Sequence, residues 1–515
     1  MHVSTEKKAE LLQKLDEFFE RNKHKVTNTD AEVFRRLYKQ LLEETPHIDW
    51  NSWKFISDNV QRNYEDLPNF DPTRTDILNR LVVVKLNGGL GTTMGCAGPK
   101  SFIKVKKGLS FLDIARQQHE AFNQLHNSSV PLTDILNRLV VVKLNGGLGT
   151  TMGCAGPKSF IKVKKGLSFL DIARQQHEAF NQLHNSSVPL YLMNSFYTDQ
   201  LTAQELGSGS DVKTFCQSRC PRIYADTLLP VEEDGSDQEW YPPGHGNIFQ
   251  SLEMTGVLDE LLRQGRDIMF VSNIDNTGAT LDLKIAQFAC DEAAEYIMEC
   301  TAKTENDIKG GTLIDIGGQL MHLEIPQVPP EHLDEFCSTR TFKIFNTNNI
   351  WVNLRAVKQR LDTISSEIIV NKKILNGRPV IQLETSIGGC IRNFPRAYCV
   401  HVDRCRFLPV KKVDDLLAIS SNLYTLNDAR ALQLSRSRPA PTVELGSFFQ
   451  RVNEFHSRFD DYPDMQDLDS LKIEGDVRFE KGVVLKGKVT IVNRTSKQQL
   501  ISTGTVIENE RLVFE

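Results

Sequence analysis

The chain has 515 residues, 40% apolar and 25% charged, with a formal net charge of −5. Those fractions are ordinary for a soluble globular protein of two or three domains, and a slightly negative balance without a basic block argues against a nucleic-acid partner. The opening MHVSTEKKAELLQKLDEFFERN lacks an apolar signal core, and no uncharged apolar run is long enough to cross a bilayer. A cytoplasmic protein without membrane contact is expected. Its ten cysteines are scattered, and no second pair or histidine cluster completes a zinc site with Cys216 and Cys220, so reduced thiols are expected.

Residues 5–46 repeat apolar positions at helical spacing: Leu11, Leu12, Leu15, Phe18 and Phe19, then Phe34, Leu37, Leu41 and Leu42. Thr27 to Asp30 separates two helices and offers N-cap candidates. Residues 1–74 therefore read as a helical N-terminal segment, with Trp50 and Trp53 as core anchors of those helices. The polar stretch PNFDPTR then leads into a repeat: Thr75–Leu132 recurs, residue for residue, as Thr133–Leu190. Solenoids show diverged periods, at least three units and atypical caps, so two undiverged copies point to a tandem duplication instead. Each unit reads strand, loop, helix: RLVVVKL suits a buried parallel strand and LSFLDIARQQHEAFNQL has helical spacing.

One catalytic fold has one slot for such a unit. After copy two, VPL continues into YLMNSF, an apolar run fit for the next parallel strand; after copy one, VPL meets the start of copy two. Copy one is joined upstream by a linker that can lengthen cheaply, because loop closure entropy grows slowly with length. Copy one (75–132) is therefore expected to be surplus, its strand a hazard if unpaired, with the working domain at 133–420. There VVVKL, YLMNSF, DIMFVSNID, YIMECTAK, FKIFNTNNIWV and IIVNKK alternate with helical stretches, the pattern of an α/β domain with a mostly parallel sheet. Residues 421–515 close the chain, and IEGDVRFEKGVVLKGKVTIV alternates apolar and polar residues with glycines at the corners. Rungs of a β-helix and an antiparallel meander both fit that pattern.

A glycine-rich turn between strand and helix lets backbone N–H groups approach phosphate closely. Gly146, Gly147, Gly149 and Gly153 supply such a turn, and Lys158 adds a cation. The spacing matches neither the dinucleotide fingerprint nor the P-loop, since GPKS is not GK[ST]. The whole string NGGLGTTMGCAGPKS, followed in order by TFCQSRCPRI, WYPPGHGNI, FVSNIDNTGAT, KGGTL, FKIFNTNNIWV, IIVNKK, IQLET and RFLPVK, resembles the eukaryotic UTP–glucose-1-phosphate uridylyltransferases. The blocks span nearly everything from copy two to about residue 415. The chain departs from the pattern in the duplication itself and at Ala155 (Ala97 in copy one), where the family often has lysine.

The resemblance implies a Rossmann-like nucleotidyltransferase domain, a mixed and mostly parallel sheet, and a C-terminal left-handed β-helix through which a homo-oligomer would assemble. It implies UTP, glucose 1-phosphate, UDP-glucose and pyrophosphate as substrates and products, and Mg2+ as cofactor. Leu144, Asn145, Gly146 and Gly147 would lie against uracil and ribose, and Lys158 would hold the triphosphate. The Gln217 amide would read the uracil edge, and Gly244 and His245 would complete the nucleotide and sugar site. His245 is also a general-base candidate, but an anionic phosphate nucleophile needs no deprotonation, so a positioning role is expected. Asp275 would bind magnesium with the substrate phosphates, with Asn273 beside it on the sugar side. Asn346, Asn348, Asn349 and Glu384 would read glucose hydroxyls, and Lys411 would reach the leaving pyrophosphate. In copy one the equivalent positions are Leu86, Asn87, Gly88, Gly89 and Lys100.

Two rivals stand beside this reading. The N-acetylhexosamine-1-phosphate uridylyltransferases typically carry arginine where this chain has Thr151, which favours the glucose enzyme. A non-catalytic oligomer, disabled by the duplication, would bind UDP-glucose without turnover. The sequons at Asn127, Asn185 and Asn493 are expected to stay unglycosylated without a secretory signal.

Overall fold

The computed structural model describes residues 4–43, 47–69, 71, 190–206, 212–273, 276, 278–279, 282–304, 307–410, 412–426 and 432–515; within the repeat it describes the strand backbones at 81–86, 104–106, 109–110, 140–145, 162–164 and 167–168, and residue 114. Helices α1 (Thr5–Arg21) and α2 (Asn28–Glu43) open the chain. Thr27 and Asp30 cap α2 reciprocally: Asp30 N–H donates to Thr27 Oγ1, and the Asp30 carboxylate accepts from Thr27 N–H and hydroxyl. The apolar stripe of the two helices packs on Cys220, Trp240, Tyr241, Ile381 and Leu383. Trp50 and Trp53 do not join it. Trp53 pairs with Ile316 across an antiparallel bridge, and both indoles pack around Phe342, so they anchor the hairpin Thr312–Leu323 rather than the helices.

Among the described residues a nine-stranded sheet forms the centre. Its strands are β1 (Gln61–Asn63), β2 (Leu81–Leu86), β3 (Val140–Asn145), β4 (Leu190–Asn194), β5 (Val212–Cys216), β6 (Ile268–Asn273), β7 (Tyr296–Ala302), β8 (Ile344–Asn353) and β9 (Ala397–His401). In space they run β5-β4-β3-β2-β6-β8-β7-β9-β1. All neighbours are parallel except β8, which is antiparallel to both β6 and β7. The architecture is thus α/β with a mixed sheet. FKIFNTNNIWV supplies the antiparallel strand, and IIVNKK lies outside this sheet in a hairpin with Arg378–Thr385.

Alternation along β6 divides the core. Ile268 and Phe270 face one layer with Ile285, Phe288 and Trp351; Met269 and Val271 face the other with Leu258, Leu261 and Val357. Copy one and copy two both enter the sheet, with β2 and β3 side by side and Val82–Lys85 in register with Val140–Lys143.

In the tail, Thr442–Leu445, Leu468–Glu474, Val484–Asn493 and Arg511–Phe514 stack in parallel, as do Val477–Phe479 and Gln499–Ile501. Parallel stacking excludes the antiparallel meander. Gly475 (φ 86°) turns one corner so tightly that a Cβ would sit 2.2 Å from the Asn493 carbonyl oxygen. The Asn493 amide donates to the Asp476 and Lys497 carbonyls, which gives this sequon residue a structural use.

Candidate active site

Strands β2 to β6 run parallel, so their C-terminal ends share one edge, where open α/β sheets hold ligands. Leu86 closes β2, Asn145 closes β3, Asn194 closes β4 and Asn273 closes β6. Register pairs Asn145 with Asn194, and Leu86 with Asn273. Because β8 runs the opposite way, its first half brings Asn346 and Asn348 to the same edge.

At the β4–β5 end, Gln217 N–H donates to the Asn194 carbonyl at 2.8 Å. Both side chains are buried, and Gln217 Oε1 and Asn194 Oδ1 have no partner among the described residues. Two buried amide oxygens without donors are costly unless a ligand N–H meets them. Gly244 (φ 87°) presses on the strand Arg378–Thr385: a Cβ there would lie 2.6 Å from the Thr385 carbonyl oxygen. Glu384, next in that strand, is largely buried, which pushes its carboxyl above the usual range. His245 Nδ1 accepts from Ile387 N–H at 3.0 Å. That bond leaves Nε2 as the protonated nitrogen, and burial pulls the imidazole down to about 4. His245 therefore presents a neutral donor, which suits positioning rather than proton abstraction.

At the β6–β8 end, Asn348 Nδ2 donates to Asn273 Oδ1 at 3.0 Å, and Asn348 N–H donates to Asn346 Oδ1 at 2.8 Å. Asn348 holds a left-handed backbone (φ 59°), a conformation asparagine tolerates better than most residues. Asn346 Nδ2 donates to Nε2 of His322 at 3.1 Å. The other ring nitrogen lies 3.3 Å from Glu324 Oε1, close enough for attraction but misaligned for a hydrogen bond. Burial lowers the His322 pKa, so the ring is a neutral acceptor toward Asn346.

The structure thus places Gln217 at the β4–β5 end and Asn273, Asn346 and Asn348 at the β6–β8 end, with Gly244, His245 and Glu384 on and against the strand Arg378–Thr385. His245 feels the charge of Glu324 and His322, the neighbours of Asn346. Asn349 is corrected. It is fully buried, its Nδ2 donates to Glu299 and its Oδ1 accepts from Asn276, so it braces the core instead of facing sugar. Lys158, Lys411 and Asp275 lie outside the described residues, as do Gly146, Gly147, Gly149 and Gly153 and, in copy one, Asn87, Gly88, Gly89 and Lys100. Leu144 is described as strand backbone only. Sequence reasoning missed Asn194 and His322. Asn194 left a signal, a polar residue ending the apolar run YLMN; the isolated His322 left none. Burial raises the Cys216 and Cys220 thiols, which opposes thiolate ligation.

A family model described as UTP–glucose-1-phosphate uridylyltransferase matches residues 31–135 and 132–486, breaking at the junction of the two copies. A UTP–glucose-1-phosphate uridylyltransferase of Hordeum vulgare is 48% identical over 386 residues, covering 73% of this chain and 82% of that one. That of Saccharomyces cerevisiae is 48% identical over 387 residues, covering 73% and 78%. Among solved structures, a UDP-glucose pyrophosphorylase of Leishmania major in complex with UDP-glucose superposes with a TM-score of 0.75 at 26% identity, covering 99% and 100% of the two chains. A UDP-glucose phosphorylase of Trypanosoma brucei gives 0.71 at 29% identity, covering 98% and 100%.

Proposed function

The chain belongs to the UTP–glucose-1-phosphate uridylyltransferase family, and from that premise we propose that it transfers the uridylyl group of UTP to glucose 1-phosphate, releasing pyrophosphate. A phosphate oxygen of glucose 1-phosphate attacks the α-phosphorus of UTP in line. The new P–O bond forms as the bond to the β-phosphate oxygen breaks, and the electron pair leaves with pyrophosphate. No proton need move. The observation that carries the reading is the polar edge itself: amide oxygens of Asn194 and Gln217 that have no partner among the described residues at one end, and the linked amides of Asn273, Asn348 and Asn346 at the other.

In this reading Gln217 takes the uracil N–H, and Gly244 and His245 border the ribose and sugar. Asn273, Asn346, Asn348 and Glu384 read the glucose hydroxyls. Asp275, two residues beyond β6, would hold magnesium with the substrate phosphates, hard oxygen donors that suit the ion and offset phosphate charge. Lys158 holds the triphosphate and Lys411 the leaving pyrophosphate. The pairing of Asn145 with Asn194 supports copy two as the uridine-side loop. A second reading, with Lys100 on the phosphates, is favoured by the register of Leu86 with Asn273 and by the packing of Lys104–Lys106 on the helix Val413–Ser420, just after Lys411. A left-handed β-helix at 421–515, homo-oligomerisation through it and a cytoplasmic location complete the proposal; parallel rungs support the first of these.

Pyrophosphate release from UTP with glucose 1-phosphate, or with N-acetylglucosamine 1-phosphate, tests the reading. Turnover with glucose 1-phosphate at least ~10-fold above the N-acetylated sugar is expected, a discrimination within reach of one pocket. Preference for the N-acetylated sugar would overturn the sugar assignment. Binding of UDP-glucose without turnover would leave a scaffold.

A further inference from the structure

Asn276 follows Asp275 directly in the chain and is buried, and none of the roles above uses it. Its amide makes four hydrogen bonds to three segments. Nδ2 donates to Asn349 Oδ1 on β8 and to the Arg406 carbonyl, both at 3.1 Å; Oδ1 accepts from Leu408 N–H at 2.8 Å and from Gly278 N–H at 3.2 Å. Its own N–H donates to the Asn273 carbonyl at 3.2 Å, and its backbone bridges Pro409, two residues before Lys411. A buried charged pair stands behind it. Arg406 donates to Glu299 from Nε at 2.7 Å and from an Nη at 2.6 Å, and Glu299 also accepts from Asn349 and Trp351. Two donors and a carbonyl with two lone pairs are all used, a set that only a carboxamide supplies at this reach.

We propose that Asn276 is a positioning residue for the uridylyl transfer, pinning the segment that carries Asp275 to the segment that carries Lys411. The inference rests on the uridylyltransfer reading above. Serine at 276 removes both Nδ2 donors, and aspartate sets a carboxylate against the Asn349 and Arg406 oxygens. A merely structural asparagine would lose activity only in step with folded protein; a positioning asparagine loses rate while the fold persists.

The experiment measures pyrophosphate release and thermal unfolding for the full chain, Asn276→Ser, Asn276→Asp, and Val357→Ala as a core variant on the other side of the sheet. For both Asn276 variants, kcat is expected to fall ~100-fold, the cost of roughly 1 Å of misplacement. The magnesium concentration for half-maximal rate should rise ~10-fold, as for lost outer-shell partners, while KM for glucose 1-phosphate holds. Val357→Ala should lower the melting temperature without moving the magnesium midpoint. If Asn276→Ser does not fold, Asn349→Ser, which removes one partner, answers by the same readouts. Asn276 variants with the parent's kcat and magnesium midpoint overturn the inference while the parent's activity upholds the reaction. A folded parent without turnover overturns the reaction itself.

Discussion

Copy one and copy two have the same sequence and different neighbours. The strand of copy two, β3, lies against β4 and sets Asn145 beside Asn194, at the end where Gln217 waits. The strand of copy one, β2, lies against β6 and sets Leu86 beside Asn273; its Ile114 is fully buried in the C-terminal core with Val410 and Val413, and Leu109 packs on the same cluster. Identical residues thus meet opposite ends of one site. Context, not local propensity, decides what each copy does. Both strands are paired on both sides, so neither leaves an exposed edge. The expense falls on the site. Asn194 and Asn273 stand three strand spacings apart, about 14 Å, where a single copy would leave about 10 Å.

The largest effect follows from that difference. Deleting Thr75–Leu132 or Thr133–Leu190 leaves the same polypeptide, because the copies are identical. Functional sites tolerate ~0.5 Å, and 1 Å of misplacement costs ~100-fold, so a ~5 Å separation should cost at least that much. The single-copy chain should therefore show kcat/KM at least ~100-fold above the full chain, by pyrophosphate release. Equal rates would mean that the substrate bridges the wider edge. In the full chain, Lys158→Ala and Lys100→Ala then ask which copy grips phosphate. Loss of a lysine on transferring phosphates should cost about 10²–10³-fold in kcat for one variant and little for the other. Loss confined to Lys158→Ala upholds copy two; loss confined to Lys100→Ala moves the phosphate grip to copy one, beside β6.

Stability probes how copy one docks. Ile114→Ala should destabilise the protein by about 2–4 kcal/mol in chemical denaturation, the usual loss for a truncated buried isoleucine. A loss below about 1 kcal/mol would mean that copy one does not pack on the C-terminal core through this residue.

How much of this was legible follows from the range of each signal. Helical spacing of Leu11, Leu15, Phe18 and Phe34 and the Thr27–Asp30 cap are local patterns, and the helices form where those patterns lie. Strand pairing is not local. Nothing in RLVVVKL says whether it joins a sheet once or twice, and FKIFNTNNIWV carries no mark of running antiparallel. Trp50, Trp53 and Asn349 were misplaced for one reason: indoles and carboxamides serve surfaces and cores alike, and only their long-range partners decide. The roles of Asn194 and His322 likewise exist only once β4, β5 and β8 are assembled.

The smallest effect concerns pH at His245. His245 holds an imidazole pKa of about 4 against an ordinary value of 6.5, because burial disfavours its charged form. The folded state therefore resists the proton. The stability it contributes is complete above pH 6.5 and is lost as pH falls from there toward 4, up to about 3 kcal/mol by linkage. His456, in the tail and also near 4 through burial, adds acid sensitivity of the same sign. Above pH 6.5 neither ring changes charge, and the Nε2 donor of His245 persists. UDP-glucose, whose phosphates do not titrate there, should bind with a Kd that changes less than ~2-fold between pH 6.5 and 8, well inside one pKa unit of coupling. A binding step centred near 6.5 would show that His245 titrates in the site, so that the Ile387 N–H no longer holds its Nδ1. A flat profile with acid unfolding below pH 6 would leave His245 a neutral donor through the range in which UDP-glucose binds.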